Sequence, residues 1–135
     1  MKIRMGFVSN SSSSSFTMVG VRIDHNDAKS MESGFRKILS LPEDNDLPLQ
    51  EMVDILGRKK DSTYERLSLT YIEEDGDYIF GISVSYGDDI HKTPIYKIVE
   101  HSQKISQFLQ YFDRLYGLPA SVERMPSLFS GLMCC

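Results

Sequence analysis

Apolar and polar residues alternate in two stretches near the start of the chain. Ile3, Met5 and Phe7 alternate with Lys2, Arg4 and Gly6, and this period of two predicts a strand over 1–8. Phe16, Met18 (or Val19), Val21 and Ile23 predict a second strand over 16–23. The polar run Ser9-Asn10-Ser11-Ser12-Ser13-Ser14-Ser15 between them reads as a loop across which the two strands pair. Asp24-His25-Asn26-Asp27 reads as a turn, with Asp27 as N-cap of a helix over 28–40, because its carboxylate can accept from unpaired backbone donors. Met31, Phe35, Ile38 and Leu39 share one face of that helix, and Pro42 ends it. After an acidic loop over 42–48, Pro48 suits the first turn of a helix over 48–57 with Leu49, Met52, Val53 and Leu56 on one face. Gly57 is expected to close it in a left-handed cap, followed by Arg58-Lys59-Lys60 at the negative helix end.

Residues 66–86 carry a hairpin pattern. Asp75-Gly76 is a signal for a two-residue turn that needs positive φ at both positions. That turn sets Tyr71 opposite Phe80, Leu69 opposite Ile82 and Leu67 opposite Val84, all on one face. Ser68 then meets Ser83 and Thr70 meets Gly81 on a polar face, which implies a sheet covered on one side. Thr93-Pro94 opens a long helix over 94–116, whose inner face is read as Ile95, Ile98, Ser102, Ile105, Leu109, Phe112 and Tyr116. Gly117 and Pro119 end it. Tyr111, Phe112 and Tyr116 near its end read as core packing or as a homodimer seam. The remaining 118–135 reads as a loosely structured tail with at most a helical turn at 127–133.

These elements predict a single α+β domain over 1–135: a small antiparallel sheet of about four strands (1–8, 16–23, 66–74, 78–86) with helices packed on one face. The chain has 135 residues and a formal net charge of −4, which argues against direct nucleic-acid binding, since that needs a basic excess. No apolar run reaches the roughly 18–20 residues of a membrane helix. Both cysteines are the final residues, Cys134 and Cys135, so a disulfide scaffold is excluded and a reduced, cytoplasmic setting is expected. A terminal Cys-Cys can also be a lipidation site, but a plain tail end is the simpler reading. No cofactor is expected.

The serine run is the sharpest feature. A serine-rich segment is ordinarily a flexible linker. Here Gly6-Phe7-Val8 precedes it and Phe16 closes it, with strand patterns on both sides. Ordering the loop costs about 1–2 kcal/mol per residue, and burying Phe7 and Phe16 offsets part of that at about 1.5–3 kcal/mol each. The stretch Lys2-Ile3-Arg4-Met5-Gly6-Phe7-Val8-Ser9-Asn10-Ser11-Ser12-Ser13-Ser14-Ser15-Phe16 resembles the leading motif of a group of uncharacterised small phage and bacterial proteins, which begin K-x-R-x-G-F-V-S-N-S-S-S-S-S-F. Tyr78-Ile79-Phe80-Gly81-Ile82-Ser83, followed by acidic residues, a Thr and a helix, is loosely similar to members of the group. Lys92 stands before Thr93 where the group often has an acidic residue. The resemblance implies a phage or bacterial origin and a shared role for the motif, but no reaction.

Three roles fit such a loop: a segment read by a protein partner or processing enzyme, a cluster of hydroxyls for modification, or a nest for an anion beside Lys2 and Arg4. The expected function is that of a small phage or bacterial accessory protein that binds a phage or host protein through Gly6, Phe7, Val8, Ser9, Asn10, Ser11, Ser12, Ser13, Ser14, Ser15 and Phe16. A second reading comes from the acidic patch Glu73, Glu74, Asp75, Asp77, Asp88 and Asp89, in a stretch from Leu67 to His91 without Lys or Arg. Such a patch can imitate nucleic-acid phosphates and block a host DNA-binding enzyme, although solvated turns explain it more simply. An enzyme would need Asp88, Asp89, His91 and the serines in one pocket. The groups Asp88-Asp89-Ile90-His91 and Asp24-His25-Asn26-Asp27 match no metal-ligand spacing. His101 reads as solvent-facing, and Asp113-Arg114 and Glu123-Arg124 read as surface pairs.

Overall fold

In the computed structural model, which describes residues 13–60, 64–72, 76–86 and 94–134, Ser13–Ile23 form strand β1. It is followed by helices α1 (His25–Ile38) and α2 (Leu49–Gly57), strands β2 (Leu67–Ile72) and β3 (Asp77–Tyr86), helix α3 (Ile95–Tyr116) and strand β4 (Ser127–Cys134). The four strands form one antiparallel sheet in the order β2-β3-β1-β4. All three helices contribute to one core against a single face of it, so the fold is α+β as the pattern predicted.

That face follows from side-chain alternation along the strands. Val21 and Ile23 of β1, Phe80 and Ile82 of β3, and Leu67 and Leu69 of β2 all point to the helices. Phe35 of α1 sits at the centre, with ring centroids 6.1 Å from Phe80, 5.8 Å from Phe108 and 5.3 Å from Phe112. Met52, Val53 and Leu56 of α2 and Ile105 and Leu109 of α3 complete the core.

Several expectations are corrected. β1 begins at Ser13, so Ser13, Ser14 and Ser15 are strand and not loop. β1 has β3 beside it over 16–23 and β4 beside it over 13–20. Both of its sides are therefore occupied along 16–20. Residues 1–8, read as a strand, lie outside the described residues. The fourth described strand comes from the tail, where β4 replaces the expected helical turn.

The hairpin register is offset by two. Leu67 faces Ile82, Leu69 faces Phe80 and Tyr71 faces Tyr78, with Ile72 opposite Asp77. The connection is thus four residues, 73–76, and the Gly76 amide donates to the Ile72 carbonyl at 2.9 Å. Gly76 does take the expected positive φ, +72°. Because the offset is even, every side chain keeps its face. The face away from the helices is not wholly polar: Met18 and Ile79 are buried there, with Ile72 and Phe129 packed against them.

The helix ends also differ in detail. Asp24, not Asp27, caps α1, accepting from the Asp27 amide at 2.7 Å. Gly57 is helical, and what it provides is proximity: a Cβ there would stand 2.1 Å from the Leu67 carbonyl oxygen, so only glycine lets α2 abut β2. In α3 the buried positions begin at His101, while Ile95, read as core, is 78% exposed. Tyr96 and Val99 in the first turns of α3 are exposed as well.

Candidate functional site

Of the N-terminal motif, Gly6, Phe7, Val8, Ser9, Asn10, Ser11 and Ser12 lie outside the described residues. Ser13 to Phe16 open β1. There Ser13 pairs with Cys134, Ser14 with Met133, Ser15 with Leu132 and Phe16 with Gly131 of β4, and Phe16 pairs with Tyr86 of β3 on the other side. The end of the serine run is therefore fixed by a backbone ladder to the last strand of the chain.

β4 stands at the end of the strand order β2-β3-β1-β4. Its sequence, Ser-Leu-Phe-Ser-Gly-Leu-Met-Cys, contains no charge and no proline. Outer strands usually carry such residues to prevent pairing with other chains. Leu128 is half exposed, and Phe129 is half-buried against Met18 and Ile79. The sequence concealed this strand because it has no clean alternation: two apolar pairs, Leu128-Phe129 and Leu132-Met133, flank Ser130-Gly131.

Of the acidic patch, only Asp77 is described; Glu73, Glu74, Asp75, Asp88 and Asp89 lie outside the described residues. Asp77 is not a bare charge, since its Oδ2 receives Arg22 Nε at 2.8 Å across β1 and β3. At the 24–27 group, Asp24 is engaged in capping and Asp27 accepts the Ser121 hydroxyl at 2.6 Å, while His25 is exposed. Among the described residues no three His, Cys, Asp or Glu side chains gather as a metal site. Asp88, Asp89 and His91, the residues an enzyme would need, lie outside the described residues.

The other outer strand borders a second feature that the sequence did not flag. The Arg66 amide donates to the Gly57 carbonyl at 2.8 Å, holding the start of β2 against the end of α2, and Arg66 takes a φ of +73°. A cleft of about 480 Å³ opens at this junction, lined by Asp54, Arg58, Arg66, Ser68 and Ser83 among others. Arg58 Nε donates to the Asp54 main-chain carbonyl at 3.2 Å, and an Arg66 terminal nitrogen donates to the Ser83 carbonyl at 3.3 Å. Arg58 and Arg66 are eight positions apart, separated by a loop, so no motif joins them in sequence.

His101 is a correction: it is only 8% exposed, not solvent-facing. Burial pushes its imidazole below the ordinary value of 6.5, the Arg66 charge adds to this, Glu100 opposes it, and Lys97 and Lys104 lower it further. Lys104 Nζ donates to the Glu65 carbonyl at 2.9 Å. The two presumed surface pairs are likewise rearranged, because Asp113 and Arg124 approach each other at 3.6 Å. Arg124 also donates to the carbonyls of Leu118, Pro119 and Val122, tying the turn before β4.

No protein-family model, no curated protein and no solved structure matches the chain.

Proposed function

We propose that this chain is a protein-binding accessory protein of a phage or bacterium, and that its partner docks where the serine run enters β1 beside the outer strand β4. The observation that carries this reading is the pairing of Ser13–Ser15 with Leu132–Cys134 of an uncharged outer strand. A motif whose end is anchored to a sheet offers a partner a defined shape with less ordering cost on binding. The adjacent strand β4 is uncharged and lies beside the anchored end of the run, so a partner meets both together. The similarity of Lys2 to Phe16 to the leading motif of small phage and bacterial proteins supports the same end of the molecule as the working part.

The test uses the full chain as bait in extracts of phage-infected and uninfected bacteria, with two variants beside it. One replaces Ser11 to Ser15 by alternating Gly and Thr; the other is Leu128→Lys, which places a charge at an exposed position of the outer strand. The reading expects a partner captured at stoichiometric level by the native chain and lost from both variants, each with an unchanged circular dichroism spectrum. Equal capture by both folded variants overturns it.

A further inference from the structure

We propose that the cleft between the end of α2 and the start of β2 binds a small phosphate monoester. This goes beyond the protein-binding reading and concerns the opposite outer strand of the sheet.

The argument begins with the two guanidiniums. Arg58 and Arg66 line the cleft, and the acceptors they reach are neutral main-chain carbonyls, those of Asp54 and Ser83. Among the described residues neither lies within 4.0 Å of a carboxylate oxygen. Each guanidinium carries five N–H donors in a planar fork that suits phosphate oxygens, so donors remain after these single bonds. Ser68 and Ser83 line the same space. The guanidinium donors left over by these single bonds make a donor-rich set for a tetrahedral oxyanion.

A second observation points the same way. Among the described residues the charged groups acting on His101 are Arg66, Lys97 and Lys104 against Glu100, so their combined field there is positive although the chain is net −4. Arg66 contributes both to that field and to the cleft. The volume, about 480 Å³, falls in the range of small-molecule sites and leaves room for an organic group beyond the phosphate. Among the described residues Asp54 is the one acidic side chain lining the cleft, and it opposes an anion. Its removal therefore strengthens binding, whereas loss of either arginine weakens it.

The test is a ¹H–¹⁵N titration of the full chain with inorganic phosphate, phosphoserine and adenosine monophosphate, at constant ionic strength set with chloride, and with acetate as a carboxylate control. The expected result is saturable shifts at Arg58 and Arg66, including their Nε–H signals, and at Ser68 and Ser83, with at least one ester binding more tightly than inorganic phosphate. Acetate leaves these signals in place. Arg58→Gln weakens the best ligand at least tenfold and Asp54→Asn tightens it. The His101 ring protons titrate at higher pH once the ligand is bound, because an anion beside Arg66 offsets its charge. Arg66→Gln is a further variant; if it fails to fold, Arg58→Gln decides, since Arg58 is exposed and its guanidinium bonds the Asp54 carbonyl in the preceding turn of the helix it caps. Absence of saturable shifts with all three phosphates, equal response to acetate, or unchanged affinity in Arg58→Gln overturns the proposal.

Discussion

Gly20 of β1 and Gly81 of β3 lie directly opposite each other, and neither position has space for a side chain. A Cβ on Gly20 would stand 2.1 Å from the Phe80 carbonyl oxygen, and one on Gly81 would stand 2.0 Å from the Val19 carbonyl oxygen. The obstructing atoms are backbone, so relief requires the two central strands to move apart. Gly20→Ala and Gly81→Ala are each expected to lower stability by about 1–3 kcal/mol, the usual cost of overpacking. The double variant should cost less than the sum, because one separation of the strands relieves both clashes. Urea unfolding of the four proteins measures both effects.

Phe35 is the second stability prediction. It is fully buried and its ring meets those of Phe80, Phe108 and Phe112, so it joins α1, β3 and α3. Phe35→Ala is expected to cost about 3–5 kcal/mol, the range for truncating a buried aromatic. Phe35→Leu should cost clearly less, since it leaves a smaller void. Thermal unfolding ranks the two, and equal losses would show that filled volume recovers nothing and that the ring contacts carry the whole effect.

These positions also show what the sequence discloses and what it conceals. The helices were legible because Met31 and Phe35, or Met52, Val53 and Leu56, repeat at helical spacing with clear stop signals behind them. The face of the hairpin was legible for the same kind of reason, as period-two alternation depends only on parity and survived the wrong turn length. Strand pairing was not legible. β1 pairs with β4, about a hundred positions away, and nothing local encodes a contact at that separation. The exposure of Ile95 and burial of His101 escaped because helical spacing gives a face but not which positions along it the rest of the protein covers. The Arg58–Arg66 cleft was hidden because it forms only when α2 abuts β2 at Gly57.

The α1 cap separates two aspartates that look equivalent in sequence. Asp24 accepts the Asp27 amide at 2.7 Å, whereas the Asp27 carboxylate accepts from the Ser121 hydroxyl at 2.6 Å. Asp24→Ala removes a cap and is expected to cost about 1 kcal/mol. Asp27→Ala removes one exposed side-chain bond between α1 and the turn before β4, and should cost less. A larger loss for Asp27→Ala in chemical unfolding would contradict the capping assignment.

The pH dependence of stability follows from His101. Its folded value is lowered below 6.5, first by burial and then by Arg66, with Lys97 and Lys104 acting in the same direction and Glu100 against. Between the folded value and 6.5 the unfolded chain binds more protons at this site than the folded chain. Stability must therefore rise with pH through that window. The neutral imidazole's contribution is fully present above 6.5 and is lost as pH falls toward the folded value, below which the curve flattens. His101→Gln cannot titrate, so the stability difference between native protein and variant should shift in the variant's favour as pH drops from about 7.5 to 5. Exposed His25 is present in both proteins and cancels in that difference. Chemical unfolding at half-unit pH steps measures it, and a difference that is flat, or that moves toward the native protein on acidification, would show that His101 is not held neutral by its buried, cationic surroundings.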